Sequence, residues 1–341
     1  MRTNVKNKKF SAIKLETTTW FRTILVLAVL FCIGYGICLL SRDDEIAKTL
    51  SGIALISTGV FCFVWSLFPA SSGICDIRRT AAINKILSVT GYVLALILLA
   101  IGIVLLTRPE EFIAGHLVCG LGFACWSTAT VATAVARFRK TDASDADRND
   151  DSSSQQKLWL EIFAAFPVLA TWTWTILLLS GSADSFFYIA GHIMGAIACI
   201  CTALLVSFAA VLRQKPNTYL RFIAFAAILW GVLQFALQYG QPNDFVGFLL
   251  IGSGIVCWSL SFPIGASIVP VHTDERRSDS ITLFPFVLFI ISLLMSIFLF
   301  EEAELAAKFL FPARMFLGFA AICLTAFAVT GILQIKTRSK A

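Results

Sequence analysis

Apolar and polar positions fall in long alternating blocks along this chain. Ten apolar runs stand out, at roughly 21–40, 49–69, 86–107, 112–136, 158–180, 187–212, 219–239, 245–269, 281–300 and 309–335. A run of about 20 such residues crosses the hydrocarbon core of a bilayer as a helix. The pattern therefore predicts an all-α polytopic membrane protein with ten transmembrane helices. Only short polar links separate the runs, so residues 1–341 are read as a single membrane domain.

The runs pair into five hairpins, and the second run of each pair carries a recurring signature. Its two clearest copies are Phe112-Ile-Ala-Gly-His116 and Tyr188-Ile-Ala-Gly-His192, each just after an acidic loop. Nine residues past each histidine stands a cysteine, Cys125 or Cys201. Cys62, Cys257 and Cys323 fill the same place in the other hairpins, where Ile53, Phe248 and Arg314 occupy the histidine slot. Recurrence of this kind marks a repeat architecture. All five signature helices run the same way, so the repeats are parallel, related by an axis along the membrane normal. Five hairpins of one sense can close into a ring or a bundle.

Small residues recur at fixed offsets from the slot. Gly120, Gly252 and Gly318 lie four residues on, and Gly59, Gly122 and Gly254 lie six on. At 100° per residue these offsets give each signature helix two close-packing faces, which places it inside the bundle. Gly191 and Gly195 add a small-xxx-small pair.

Charge then sets orientation. Of the 27 Lys and Arg, 22 fall in the N-terminal segment, the links between hairpins and the C-terminus. The other five, Arg42, Lys48, Arg108, Lys308 and Arg314, lie on the opposite side, in the hairpin loops or just inside the helix ends beside them. Positive residues gather on the cytoplasmic side, so both termini are expected there. The net charge of +6 reads as this topology plus affinity for anionic lipid headgroups. No soluble face gathers the charge as a nucleic acid would require, so the expected partner is the lipid bilayer. The first apolar run lacks an Ala-x-Ala cleavage pattern and reads as a retained anchor.

With 58% hydrophobic and 14% charged residues, almost nothing is left for a soluble domain. The exception is residues 141–157 (TDASDADRNDDSSSQQK), read as a disordered cytoplasmic tether. Nine of the ten cysteines lie in predicted spans and only Cys75 in a loop, with no Cys-x-x-Cys. They read as small apolar packing residues, with no metal site and no disulfide framework.

Candidate chemistry centres on His116 and His192. Each lies about 6 Å inside the external end of its helix, with Arg314 at the same level in the fifth repeat. Ionisable groups at that depth are costly and usually face a protein interior or a wet cavity. An imidazole with an ordinary pKa near 6.5 would titrate as the outside acidifies. Glu110, Glu111 and Asp184, one turn away, are candidate partners. Proton sensing, ligand or metal binding, and plain structural capping all fit the sequence.

Other polar or bulky positions read as structure. Glu161 is a solvated carboxylate near the cytoplasmic interface, and Gln234 and Gln238 could line a polar seam. Pro167 and Pro263 would loosen their helices. Trp65, Trp126 and Trp258 are read as core filling, and His272 as a solvated loop residue. Nucleotide, metalloprotease and hydrolase signatures are missing, so an enzyme is not expected and no cofactor is implied.

The signatures at Ala114–Gly120 and Ala190–Cys201, with the stretch Phe311-Pro-Ala-Arg-Met-Phe-Leu-Gly-Phe-Ala-Ala-Ile-Cys323-Leu-Thr, resemble the YhiM family of bacterial inner-membrane proteins. The resemblance covers most of the chain. It implies a ten-span inner-membrane protein tied to acid-stress survival, with no defined substrate or catalytic residues. Ile53 and Phe248 depart from a full set of histidine slots.

Two functional readings follow. The first is a transporter- or channel-like protein whose periplasm-side His/Arg layer responds to acid. The alternative is a non-conducting membrane scaffold or stress protein. A hydrated polar centre would favour the first, and a filled apolar centre the second.

Overall fold

The computed structural model describes residues 2–41, 46–66, 77–138, 150–180, 185–213, 219–241, 243–268 and 275–338. Among the described residues there are ten long helices and no strand. They are α1 (Arg2–Leu40), α2 (Ile46–Ser66), α3 (Ile77–Leu106), α4 (Phe112–Phe138), α5 (Asp150–Ser180), α6 (Ser185–Arg213), α7 (Tyr219–Leu237), α8 (Phe245–Ile268), α9 (Glu275–Leu305) and α10 (Leu310–Arg338). Short 3-10 turns at Pro109–Glu111 and Ala307–Phe309 lead into α4 and α10. Each of the ten is long and apolar enough to cross a membrane.

The helices outrun the apolar blocks at the end where the hairpins connect. Residues 150–157, read from sequence as part of a disordered tether, instead form the first two turns of α5. That helix opens at Asp150. Residues 141–149 lie outside the described residues, as do Asp184, Asp43, Asp44, Glu45, Cys75 and His272.

Burial alternates strictly along the chain. The apolar spans of α1, α3, α5, α7 and α9 are 22–28% buried, while those of α2, α4, α6, α8 and α10 are 61–94% buried. Odd-numbered helices are therefore the outer ones. Each buries a narrow stripe in which small residues are frequent, such as Ala28, Cys32 and Gly36 between Leu25 and Leu39 in α1, and turns Leu27, Leu30 and Phe31 outward. In a bilayer that outer face costs nothing, because lipid tails are as apolar as leucine.

The even helices close into a ring. Each packs on its neighbours in the order α2–α4–α6–α8–α10, and α10 packs back on α2. Each outer helix lies against its own inner helix and the preceding one, so α1 bridges α2 and α10. The fifth hairpin thus meets the first.

Small residues fix both kinds of seam. A Cβ added at Gly120 or Gly252 would strike Ile197 of α6 or Phe319 of α10, in each case the next inner helix. At Gly318 it would sit 3.4 Å from Thr58 of α2. At Gly59, Gly122 and Gly254 it would come within 2.5–2.9 Å of Ile33, Leu99 and Ile228 on the hairpin's own outer helix. Gly191 and Gly195 do not share one partner: the first backs onto Leu179 of α5, the second onto Trp230 of α7.

With offset four toward the next inner helix and offset six toward the outer one, offsets one, eight and twelve turn to the ring's centre. The middle layer is Phe61, Ala124, Ile200, Val256 and Ile322, none more than 5% exposed. Below it come Trp65, Leu204 and Leu260, also buried. A water-filled lumen would leave such side chains exposed to it. Thr128, the hydroxyl in that layer, donates to the Ala124 carbonyl of its own helix at 2.8 Å. The centre is a packed apolar core continuous with the rest.

Candidate functional site

The slot residues stand at the hairpin-turn end of the ring and face the seams between hairpins. The backbone preceding the slot explains why. Gly52, Gly115, Gly191 and Gly247 directly precede four of the slots, with Ala313 before the fifth. Two of these glycines cross a glycine of the outer helix: Cβ atoms at Gly36 and Gly52, or at Gly231 and Gly247, would lie 2.6–2.8 Å from the partner's carbonyl oxygen. In the fifth hairpin Ser296 replaces the outer glycine and donates its hydroxyl to the Ala313 carbonyl at 2.8 Å. With that face held to the hairpin's own outer helix, the next residue turns toward the following hairpin.

His116 is buried there. Its Nδ1 donates to the Phe112 carbonyl at 2.7 Å, so the neutral ring carries its proton on Nδ1. The Phe112 ring lies against it, tilted by 60° with centroids 4.3 Å apart, and Trp174 of α5 meets it edge-on at 5.4 Å. His192 repeats the arrangement. Nδ1 donates to the Tyr188 carbonyl at 2.8 Å, the Tyr188 ring lies 4.3 Å away, and Trp230 of α7 lies 5.6 Å away. The Tyr188 hydroxyl then donates to Gln234 Oε1 at 2.7 Å, which makes Gln234 part of this seam. Arg314, also buried, reaches Ser51 of α2 at 3.4 Å from Nη1.

The three side chains thus turn in one sense round the ring, each to the seam that follows it, and away from the axis. Of the acidic partners expected from sequence, Asp184 lies outside the described residues, and the other two do not meet His116. Glu110 and Glu111 lie in the 3-10 turn before α4, and among the described residues neither pairs with His116. The reason is local: the imidazole points along its helix to Phe112 and under Trp174. Among the described residues no three His, Cys, Asp or Glu side chains converge as metal ligands.

Elsewhere two of the three tryptophan positions differ from their sequence reading. Helices α5 and α8 continue through Pro167 and Pro263. Trp65 is core, but Trp126 and Trp258 are only half-buried; Trp126 packs on Tyr92 and Phe163, and Trp258 on Phe284. Glu161 is exposed on α5. The five signature cysteines are fully buried. Cys201 sits against Ser127 and Thr171, and Cys323 against Ser259 and Ser292. The thiols fill seams between an inner helix, its outer partner and the preceding inner helix.

One ionic contact escaped the sequence reading, which used Lys308 only to count charge. Lys308 Nζ lies 2.8 Å from Asp244 Oδ2, joining the turn before α8 to the turn before α10. No short-range spacing could reveal it, because 64 residues separate the two.

Ten apolar spans and a closed ring of paired helices define a polytopic helical membrane protein. The chain belongs to the family described as Protein of unknown function (DUF2776), whose model matches residues 13–338. It is 24% identical over 345 residues to Inner membrane protein YhiM of Escherichia coli (strain K12), covering 94% of this chain and 98% of that relative. No solved structure matches it. Together these make it a multi-pass inner-membrane protein.

Proposed function

We propose that the protein is a non-conducting scaffold of the inner membrane, a rigid disc of five hairpins whose lipid-facing rim and exposed ends serve assembly or stress resistance. The observation that carries this reading is the packed axis, where Phe61, Ile200, Val256 and Ile322 meet with no exposed lining. Transport proteins keep ionisable groups or broken helices at mid-membrane. Here the inner helices are continuous, and among the described residues the buried Asp, His and Arg side chains sit at the hairpin-turn end, away from the axis.

The recurrence of slot, cysteine and glycine positions in equivalent seams supports descent of the five hairpins from one duplicated unit. The distribution of Lys and Arg supports cytoplasmic termini, which puts the hairpin turns and the His/Arg positions on the periplasmic side.

A second reading rests on the two boxed histidines. Protonation would place a charge in a seam lined by Phe112 and Trp174, or by Tyr188 and Trp230, and would loosen the contact between hairpins. That makes the ring an acid-responsive element of the kind the sequence suggested. Proton and ion flux in proteoliposomes, across an external step from about pH 7.5 to 5 that brackets the ordinary histidine pKa, separates the two. The scaffold reading expects no flux above empty vesicles at either pH. Flux at low pH that is lost in the His116→Ala/His192→Ala variant would replace it with the gated one.

A further inference from the structure

Asp244 is the only buried carboxylate among the described residues, its side chain 4% exposed. It closes the turn before α8. Gly240 takes a left-handed backbone there, φ +79°, and its N–H donates to Asp244 Oδ2 at 3.3 Å. The turn brings the Gln241 carbonyl to the same point in space: Lys308 Nζ lies 3.1 Å from that carbonyl and 2.8 Å from Asp244 Oδ2. The Phe309 ring adds a face 5.1 Å from the ammonium. Asp244 Oδ1 is buried and has no hydrogen-bond partner among the described residues. Carboxylate and carbonyl oxygens that converge on one positive centre are the donor set of hard cations.

We propose that the Asp244–Gln241 cradle is a monovalent-cation site whose resident cation is the ammonium of Lys308. Sodium takes its place when the ammonium is missing. One carboxylate with one neutral carbonyl balances a single positive charge, so a divalent ion would be left with charge uncompensated at a buried site. The unused Oδ1 offers a bare ion a donor that the ammonium leaves idle. Tethering gives Lys308 a high effective concentration, so the wild-type protein needs no added ion. The same occupancy latches the turn of the fourth hairpin to that of the fifth. The site is independent of whether the ring conducts.

The test is thermal melting of the full-length protein in nanodiscs, in NaCl and in choline chloride at equal ionic strength. Lys308→Met should melt lower than wild type in choline, by about 3 °C for a latch of this size, and recover most of that loss in sodium. Wild type, and the Asp244→Asn/Lys308→Met double variant, should melt alike in the two salts. Equal melting of Lys308→Met in both salts overturns the proposal, and so does an equal sodium response in the double variant. If Lys308→Met does not fold in choline, Lys308→Gln is compared in the same way. Failure of both to fold in sodium also counts against the proposal, since the ion should stand in for the ammonium.

Discussion

The indole N–H of Trp126 in α4 donates to the carbonyl of Phe163 in α5, at 3.2 Å. That carbonyl lies four residues before Pro167, whose nitrogen has no hydrogen to give it. A donor from the neighbouring hairpin therefore replaces the missing helical bond, and α5 stays continuous. A carbonyl left without its donor in an apolar setting costs about 1–3 kcal/mol. Trp126→Phe should lower stability by about that amount, and Pro167→Ala should recover most of it in the Trp126→Phe background. A denaturant double-mutant cycle checks this. Additive effects would mean that the two positions are not coupled in this way.

The glycine crossings predict a sharp contrast among glycines of similar depth. Gly36→Val or Gly247→Val would drive a side chain into the opposing backbone and should cost about 3 kcal/mol or more, beyond ordinary overpacking. A Cβ at Gly34 meets nothing within 4 Å. Gly34→Ala should be neutral or stabilise by up to about 1 kcal/mol through helix propensity. Melting temperatures in detergent decide it.

Closure of the ring sets the first hairpin against the fifth. A Cβ at Gly318 would lie 3.4 Å from Thr58 Cγ2, so thiols placed at both positions can meet. The Thr58→Cys/Gly318→Cys variant should cross-link within one chain under mild oxidation, seen as a mobility shift reversed by reductant. A Thr58→Cys/Gly34→Cys control should not cross-link. An open bundle, with α10 away from α2, gives no product.

If the seam histidines act as fitted aromatic wedges, shape matters there more than charge. His116→Phe and His192→Phe should then stay within about 1.5 kcal/mol of wild type. The alanine variants should lose about 2–4 kcal/mol to the cavities they leave. Phenylalanine variants as unstable as alanine would show that the position requires the imidazole's hydrogen bond. Tyr188→Phe, which removes the donor to Gln234, should cost about 1 kcal/mol.

Span number and hairpin pairing were legible because apolar length is a strong signal, and the slot-to-cysteine spacing picked out the inner helices. What distinguishes the faces of an outer helix is residue size, Gly36 and Ala28 inward against Leu30 and Phe31 outward. Hydropathy does not see size, so the inward stripe could not be read from polarity. The glycines directly before the slots were visible in the motif, but their role required knowing that Gly36 and Gly231 cross them. Glu110 and Glu111 were linked to His116 by sequence distance, whereas the ring instead turned toward Trp174 on another hairpin. The Lys308–Asp244 pair joins two turns whose proximity exists only once the ring closes.

The central claim is a dry axis, and Val256 stands in its middle layer, fully buried. The direct measurement is modification of Val256→Cys, in native membranes, by a membrane-permeant maleimide that alkylates only a thiol wet enough to ionise. Labelling at that residue is read by mass spectrometry beside a Gln241→Cys control in the exposed turn. The packed ring predicts that Val256→Cys stays unmodified until the protein is denatured, while Gln241→Cys reacts. Modification of Val256→Cys in the folded protein at a rate like that of the control would put water on the axis and contradict the scaffold account.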